Sequence, residues 1–587
     1  MAGSLLGSAA RAPTIRAMAA RLDSSARSDE SAGGSSRAAR FAPWLGLAPW
    51  LGIALVLACL TALRWRLLGV PLERDEGEYA YAGQLLLAGH APFDGAYNMK
   101  LPGIYAVYAA VMALCGETDV GIHLGLLVAS LLSTVLVFRL GQRLFDAASG
   151  LAAAALFALL ALSSRVQGMF ANSEHFVLPF ALGGCLVLLR AFEAGEGARL
   201  RAPRARAARL FLGGCLLGAA FLVKQHALFF VVLGAVLVAV RARSSGANRR
   251  GAPAALVLYA AGALLPYAVT LLICLGAGTF ERFWMWTFTF ARDYVGLTSW
   301  EQGARNLGTN GGALARSAWG VSALALAGLA ALFLGPGPAH RRRLAAGFAA
   351  ASAAAICPGL YFRPHYFVLL LPAAALLAAL GAALLARALP ARVAALRPAA
   401  ALVLVLAALG EVALKQRAFL LTYTPEQISR ALYGPSPFPE ARVIGRWIQE
   451  HTPPEARIAA LCSEPQLYFY ARRRASTGFL YLYALMERGE LARRMQRDLM
   501  AEFEAAPPEI LITAASRDSW ADYPGTWRDL RQTHAEFFAW YEQTLARYEP
   551  VGVADVPARG PTVYRFGDEL RGYAPRSPFA LFVHRRR

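Results

Sequence analysis

The chain has 587 residues, of which 57% are hydrophobic and only 17% are charged, and its formal net charge is +21. With a mean hydropathy of +0.41, a chain of this length cannot cover its apolar surface as a soluble domain, so we predict a polytopic membrane protein. The arginines lie mainly in short loops between apolar runs, which is a topology signal and argues against nucleic acid as a partner. The seven cysteines contain no CxxC pair, so neither a disulfide framework nor a zinc site is indicated.

Residues 1–40 are rich in Ala, Ser and Arg and contain no apolar run. This composition predicts a disordered basic tail on the cytoplasmic side. The segment also lacks the hydrophobic region of a signal peptide. A transit peptide has a similar composition and is the alternative. After the tail we predict a membrane domain over 41–415 and a separate domain over 416–587.

Eleven apolar runs are candidates for membrane-crossing helices. Between them, five alternate loops hold eighteen arginines, so the positive-inside rule places these loops and the N-terminus in the cytoplasm. The runs lie near residues 43–63, 119–140, 147–163, 173–191, 208–223, 225–241, 253–275, 315–335, 344–360, 366–387 and 398–415.

A twelfth apolar segment, residues 101–116, is too short to be counted, and counting it would move all five arginine-rich loops outside. We predict a helix lying in or dipping into the outer interface, a depth that suits Tyr105 and Tyr108. The first outer loop then runs over 64–118 and faces the periplasm or exterior.

The last part of the chain has ordinary polarity and alternates short apolar runs with helical stretches. Strands are predicted over 457–462, 509–513, 551–553 and 563–566, with an amphipathic helix over 527–548. This pattern predicts a small α/β domain, and eleven crossings put it on the same side as the first outer loop.

Four carboxylates fall within residues 73–78, directly after the first apolar run. Ionisable groups beside a membrane are costly unless they are used, so we expect chemistry here rather than a solvated loop. Polar residues from other loops lie at the same predicted depth as this acidic cluster. A set of carboxylates and cations suits a reaction in which a hydroxyl is deprotonated beside a bound phosphate. These residues are Asp75, Glu76, Glu78, Lys100, Asn172, Ser173, Glu174, His175, Lys224, Gln225, His226, Tyr361, Arg363, His365 and Tyr366.

The order and spacing of several motifs resemble the membrane glycosyltransferases of the GT-C fold. The most similar branch contains the protein mannosyltransferases, the aminoarabinose transferase of lipid A and the RgtA/B/C/D-like enzymes. Many relatives carry Lys-Pro-Pro where this chain has Lys100-Leu101-Pro102, a departure that bears on the choice of sugar. The similarity spans about residues 60–515 and rests on 75–80, 100–105, 172–174, 218–224 and 361–372.

The resemblance implies an inverting glycosyltransferase that takes a hexose or pentose from a polyprenyl phosphate. By position, Asp75 is the base that activates the acceptor hydroxyl, and Glu174 is a second active-site carboxylate. Lys100 and Lys224 would contact the donor phosphate, because lysine is a compact point charge. Arg363 and His365 would add cations, and His226 and Tyr366 are weaker candidates.

The sequence is also compatible with other roles for these residues. Asp75 is also a favoured cap for a helix starting near Glu76. Glu76 would support catalysis or orient Lys100 or Arg74, and Glu73 and Glu78 are expected to be solvated. Some GT-C enzymes use a divalent cation and others use none, so a Mg²⁺ or Mn²⁺ ion bridging Asp75 and Glu174 is an alternative to a cofactor-free site.

The predicted setting is a bacterial inner membrane, with the reaction and the C-terminal domain on the periplasmic side. The acceptor would be a lipid, a glycan or a protein. A transporter or flippase is the second reading, although transporters usually keep functional charges near the bilayer midplane, whereas this chain collects them at one face. A surface-polysaccharide polymerase or ligase is the third.

Overall fold

The computed structural model of the protein describes residues 35–192, 203–244, 251–334, 338–521 and 525–587. The chain divides into two compact units, Met1–Ala54 and Leu55–Arg587. Most of the predicted disordered tail lies outside the described residues, and its last part, 35–40, is helical instead. The other predicted domain boundaries stay a prediction.

A helix coincides with each of the eleven apolar runs, which confirms the mostly helical, polytopic fold class. These helices are α1 (Ser35–Trp65), α4 (Asp119–Leu144), α5 (Ala147–Leu160), α6 (Ser173–Ala191), α7 (Pro203–Val223), α8 (Leu228–Ser244), α9 (Gly251–Gly276), α14 (Trp319–Leu334), α15 (Ala339–Ala355), α16 (Leu371–Arg387) and α17 (Arg397–Arg417).

By length and composition, seven helices in the described parts of the chain can cross a membrane, or eight if a pair bent by 101° forms one span. The bent pair is Trp300–Ser317 with Trp319–Phe333, and α5 and α16 are shorter apolar helices. The number of crossings therefore stays a prediction, and the multi-pass character of the protein does not depend on it.

Shorter helices occupy the loops between these segments. On the first loop they are α2 (Arg74–Leu87) and α3 (Gly103–Cys115), and further along α10 (Phe280–Trp284), α11 (Ala291–Val295), α12 (Trp300–Asn306) and α13 (Gly312–Ser317). The C-terminal part adds α18 (Pro425–Tyr433), α19 (Phe438–His451), α20 (Gln466–Ala471), α21 (Glu490–Ala505), α22 (Trp527–Thr533) and α23 (Ala535–Leu545).

The apolar helices pack closely where small residues meet. A Cβ on Gly218 of α7 would lie 2.2 Å from the carbonyl oxygen of Ala263 on α9, and one on Gly381 of α16 would lie 1.9 Å from that of Leu324 on α14. Both contacts require glycine, as is usual where membrane helices approach backbone to backbone.

The helix predicted over 101–116 is α3, and its position at the outer membrane interface stays a prediction. Tyr105 and Tyr108 are buried, and their hydroxyl groups form hydrogen bonds inside the protein. Tyr105 donates to Glu78 at 2.6 Å, and Tyr108 donates to the carbonyl of Ala171 at 2.7 Å. These bonds connect α3 to Glu78 of α2 and to Ala171, which precedes α6.

The C-terminal part contains one six-stranded sheet in the order β2-β1-β3-β6-β4-β5. The first three strands are parallel, and β6, β4 and β5 join them in antiparallel pairs, which confirms a small α/β domain. The strands are β1 (Arg457–Leu461), β2 (Arg474–Ala475), β3 (Ile510–Ala514), β4 (Tyr548–Asp555), β5 (Val563–Phe566) and β6 (Leu581–Arg586).

The single helix predicted over 527–548 is wrong, since two helices, α22 and α23, meet at His534 and β4 already begins at Tyr548. His534 leaves helical geometry with a ψ of 42°. Its ring is buried between the side chain of Gln496 and the carbonyl of Met486, at 2.9 Å from each. This tertiary contact, which amphipathic periodicity does not reveal, accompanies the break.

The C-terminal part contacts the first outer loop directly. Tyr97 forms an isolated parallel bridge with Phe479, and the Arg74 guanidinium pairs with Glu464 at 2.7 Å. A Cβ on Gly77 would lie 2.5 Å from the backbone of Gln466, so α2 and α20 touch main chain to main chain. The start of α2 is therefore held against the C-terminal part.

Candidate active site

Glu73, rather than Asp75, caps the helix that carries the acidic cluster. The Glu73 carboxylate accepts from the backbone N–H of Glu76 at 3.2 Å, and the Glu76 carboxylate accepts from that of Glu73 at 3.1 Å. This reciprocal capping box satisfies two backbone donors that a helix start leaves unpaired. The reading of Asp75 as a cap is therefore wrong, and its carboxylate is available for other partners.

Asp75 shares Lys100 with Glu78. The Lys100 ammonium lies 2.8 Å from Asp75 Oδ1 and 2.8 Å from Glu78 Oε2, because positions three apart on α2 present their side chains on one face. The ammonium also lies 4.5 Å from the centre of the Tyr79 ring. Asp75 keeps 29% and Lys100 20% of its side chain exposed, whereas Glu78 keeps 1%.

The charges around Asp75 keep it ionised. Burial would raise the pKa of Asp75, but Lys100, through its charge and its hydrogen bond, and the charge of Arg363 hold the pKa below its ordinary value. Burial would likewise lower the pKa of Lys100, and the two carboxylates raise it instead. The exposed edge of this cluster is thus a carboxylate and an ammonium that are both charged at neutral pH.

Glu73 and Glu78 are both buried, so the expectation that they are solvated is wrong. Besides Lys100 and Tyr105, Glu78 accepts from the side-chain amide of Asn98 at 2.7 Å. Burial raises the pKa of Glu78 in spite of the lysine. Glu78 therefore sits behind Lys100 and helps to hold it.

Glu76 lies on another side of the helix and orients neither Lys100 nor Arg74, contrary to expectation. Its carboxylate is fully buried and pairs with His123 at 2.9 Å and with the backbone N–H of Ala171 at 2.5 Å. The other nitrogen of His123 faces the carbonyl of Leu68 at 2.9 Å, so both ring nitrogens face acceptors, as in an imidazolium. Glu76 thus holds α2 against the segment that precedes Glu174.

Glu174 forms the second charged pair of the site. Its carboxylate is fully buried at the start of α6 and lies 2.5 Å from the Lys224 ammonium, which is 14% exposed. Ser173 donates to the same carboxylate at 3.2 Å, and His365 Nε2 lies 3.9 Å away. Lys224 also stands 4.5 Å from the centre of the Tyr366 ring. Glu174 therefore positions Lys224 as Glu78 positions Lys100.

His365 lies between the two charged pairs. Its Nδ1 is 2.9 Å from the side-chain oxygen of Gln167, and both Asp75 and Glu174 act on it electrostatically. Burial lowers the pKa of His365 to about 4 despite these carboxylates. Burial thus favours the neutral imidazole, and a role of His365 as a cation stays a prediction.

The remaining predicted residues border the site at greater distance. The Arg363 guanidinium donates a hydrogen bond to the hydroxyl oxygen of Tyr294 at 3.2 Å. Its positive charge also helps to lower the pKa of Asp75. His226 hydrogen-bonds with the carbonyl of Ala355 at 2.8 Å, and its ring meets that of Tyr366 edge-on at 4.7 Å. These two rings serve as packing beside Lys224.

One further residue, which no sequence motif indicates, contacts the carboxylate of Asp75. Tyr481, from the C-terminal part, donates to the carbonyl of Arg74 at 3.0 Å and lies 3.4 Å from Asp75 Oδ1. No motif signals this contact, because it joins positions about four hundred residues apart in the chain. Only the fold brings them together.

The carboxylates of the site are paired with lysines. No group of three or more His, Cys, Asp or Glu side chains in the described ranges is arranged to hold a metal ion. Asp75 and Glu174 each face a lysine ammonium, which competes with a cation for the same oxygens. A Mg²⁺ or Mn²⁺ ion bridging Asp75 and Glu174 stays a prediction.

Part of the chain is similar to a known protein family. Residues 99–273 match the model of the dolichyl-phosphate-mannose-protein mannosyltransferase family, PMT_2. This segment contains Lys100, Glu174 and Lys224. Comparison with curated protein sequences found no match.

Two solved proteins share the fold. The archaeal oligosaccharyltransferase AglB from Archaeoglobus fulgidus, in complex with an inhibitory peptide and a dolichol-phosphate, is 12% identical with a TM-score of 0.50, over 89% of this chain and 75% of that chain. ArnT from Cupriavidus metallidurans, bound to undecaprenyl phosphate, is 16% identical with a TM-score of 0.50, over 79% of this chain and 92% of that chain. The shared architecture confirms the GT-C fold, and residues 99–273 are similar to the mannosyltransferase family.

Proposed function

We propose that the protein is an inverting glycosyltransferase that moves a sugar from a polyprenyl phosphate to an acceptor hydroxyl on the outer face of the membrane. The observation that carries the proposal is the partly exposed, ionised carboxylate of Asp75 beside the ammonium of Lys100. A base next to a phosphate-binding cation is what this transfer requires. The lipid phosphates in the AglB and ArnT structures support the donor class.

In the proposed reaction, Asp75 takes the proton of the acceptor hydroxyl. The acceptor oxygen attacks the anomeric carbon, the bond from that carbon to the phosphate oxygen breaks, and the polyprenyl phosphate leaves with the electron pair. Because the displacement is single, the configuration at the anomeric carbon inverts. A phosphate is a good leaving group, so the reaction needs one base and no carboxylic acid, unlike glycoside hydrolysis.

Lys100 couples donor binding to the strength of the base. While its ammonium faces Asp75, the pKa of that carboxyl is low and the carboxylate is a weak base. A donor phosphate that attracts Lys100 withdraws part of this charge, so the pKa of Asp75 rises toward its ordinary value. The base therefore gains strength when the donor is present.

Lys224 supplies the second cation for the phosphate. The buried carboxylate of Glu174 holds the ammonium at 2.5 Å and stacks it against Tyr366. In this arrangement Glu174 acts through Lys224, and His365 Nε2 lies 3.9 Å from the Glu174 carboxylate. Arg363 adds positive potential from the border of the site.

The proposed setting is the bacterial inner membrane, with the N-terminus in the cytoplasm and the site and C-terminal part in the periplasm. The basic loops between the apolar helices support this orientation through the positive-inside rule. The acceptor is a lipid, glycan or protein hydroxyl, and the sugar is a hexose or a pentose.

The proposal is tested in cells by replacing Asp75 with Asn. Mass spectrometry of membrane glycolipids and glycoproteins should then show the loss of one glycan, because the amide has the same shape but cannot take the proton. Asp94→Asn is the matched control, since Asp94 belongs to the same loop but pairs with His90 and is 45% exposed. If Asp75→Asn cells keep every glycan of wild-type cells, Asp75 is not the base.

A further inference from the structure

The C-terminal part contributes a hydroxyl group to the candidate active site. Tyr481 lies between β2 and the turn that begins at Tyr483, and its neighbours Leu480 and Leu482 are each only 1% exposed. The backbone N–H of Leu482 also donates to Ser463 Oγ at 3.1 Å. The main chain on both sides of Tyr481 is therefore anchored in the core.

The same region holds the start of α2. Arg74 donates to the carbonyl of Ser463 at 2.9 Å and to Glu464 at 2.7 Å, and Glu464 is fully buried. Ser463 is thus bonded both to Arg74 and to the segment that carries Tyr481. These contacts place the Tyr481 hydroxyl beside Asp75 with little freedom.

The Tyr481 hydroxyl faces two acceptors but has only one proton to donate. The carbonyl of Arg74 is nearer, at 3.0 Å, and Asp75 Oδ1 is 3.4 Å away. Asp75 Oδ1 already receives a hydrogen bond from Lys100 at 2.8 Å. The shorter distance favours the carbonyl as acceptor in this state, and Asp75 Oδ1 is a second acceptor within reach of the same hydroxyl.

We propose that Tyr481 is a positioning residue for Asp75, whose hydroxyl turns to the carboxylate when Lys100 engages the donor phosphate. The inference rests on the proposed function, because it concerns the moment at which Lys100 is drawn to the donor. Without a second donor, the carboxylate would then be free to rotate away from the acceptor. The C-terminal part thereby completes the active site.

The other polar groups around Asp75 do not replace Tyr481 as the hydrogen-bond donor to its carboxylate. Lys100, His365 and Arg363 face Asp75 from other elements, and Glu73 and Glu78 act on it from the same helix region. Lys100 is committed to the donor at this moment, and the carboxylates cannot donate. His365 and Arg363 face Gln167 and Tyr294 through hydrogen bonds of 2.9 Å and 3.2 Å.

The test compares Tyr481→Phe with Tyr483→Phe in purified protein. Both variants keep an aromatic ring, and the two rings stack at 5.9 Å in the wild type. Tyr483 is the matched control, because its hydroxyl donates to the carbonyl of Asp518 at 3.1 Å. The assay uses the glycan product lost in Asp75→Asn cells, and a separate titration measures the affinity for undecaprenyl phosphate.

For Tyr481→Phe we expect kcat to fall about tenfold, as for loss of one hydrogen bond to a charged group. The KM for the donor and the affinity for undecaprenyl phosphate should stay near wild type. The acid limb of kcat should also move to higher pH, because the lost bond favoured the ionised carboxylate. Tyr483→Phe should behave like the wild type in each measurement.

The outcomes separate the inference from the proposed function. If Asp75→Asn is inactive while Tyr481→Phe keeps the wild-type kcat and pH profile, the role of Tyr481 is overturned and the proposed function stands. A rise in KM with unchanged kcat also overturns it, since that result assigns Tyr481 to donor binding. If Asp75→Asn remains active, both the proposed function and the positioning role fail.

Discussion

At the scale of single residues, the four carboxylates between positions 73 and 78 occupy four different environments. Glu73 caps α2, Glu76 is buried against His123, and Glu78 is sealed behind Lys100. Only Asp75 combines a charge partner with solvent access. Successive residues on a helix point about 100° apart, which is why neighbours in the sequence reach different surroundings.

The first prediction concerns Lys100→Met. Removing the ammonium raises the pKa of Asp75, which Lys100 now holds below its ordinary value. Activity needs the ionised carboxylate and is lost as the pH falls through this pKa, so the acid limb of the rate profile should move to higher pH. We also expect kcat/KM to fall about hundredfold, because a cation is missing at the departing phosphate.

The pH profile of the remaining activity is the measurement for Lys100→Met, and Lys100→Arg is its control. Arginine keeps the positive charge, so the acid limb should stay close to its wild-type position. An acid limb that does not move in Lys100→Met would contradict the electrostatic role given to Lys100.

The sequence predicts part of this site and misses another part for identifiable reasons. Asp75, Lys100, Glu174 and Lys224 are recognisable because charged residues are rare in the apolar background and follow the GT-C motifs. The spacing of Asp75 and Glu78 also contains a usable signal, since positions three apart share a helix face. Tyr481 carries no such signal, because its role depends on a contact between distant parts of the chain.

At the scale of elements, α2 is held by a capping box at its start and by close contact with α20. Gly77 is essential to that contact, since a Cβ there would overlap the backbone of Gln466 at 2.5 Å. The helix that carries Asp75 therefore depends on the C-terminal part for its position.

The second prediction concerns Gly77→Ala. The added methyl group must push α20 away from α2, and we expect a loss of about 1–3 kcal/mol of stability with a lower midpoint of thermal unfolding in detergent. Gly276→Ala is the control, because a Cβ at Gly276 would meet nothing within 4 Å. Equal midpoints for both variants would show that the contact between α2 and α20 does not hold.

The strands of the C-terminal part are predictable where their residues form an apolar or alternating pattern. The strands β1, β3 and β5 are continuous apolar or alternating runs and lie where the sequence predicts them. The strand β6 was missed, since its Leu581–Arg586 run ends in three basic residues and lacks strand-like composition there. Pairing with β3 and β4 on both sides determines its conformation instead.

In the whole molecule, the proposed topology places the C-terminal part and the first arginine-rich loop on opposite sides of the membrane. The third prediction follows from this arrangement and uses a variant without its native cysteines. Glu549→Cys, in the exposed part of β4, should react with a membrane-impermeant maleimide in intact cells. Ala148→Cys, exposed at the start of α5, should react only after permeabilisation. The opposite pattern would reverse the orientation.

In the proposed reaction, Asp75 is the base of a transfer from polyprenyl phosphate. The most direct measurement is the rate at which purified protein releases polyprenyl phosphate from the sugar donor in the presence of acceptor. For Asp75→Asn we predict a fall of about a hundredfold or more, as for loss of a general base, while Asp94→Asn keeps the wild-type rate. Release by Asp75→Asn at the wild-type rate would contradict the account.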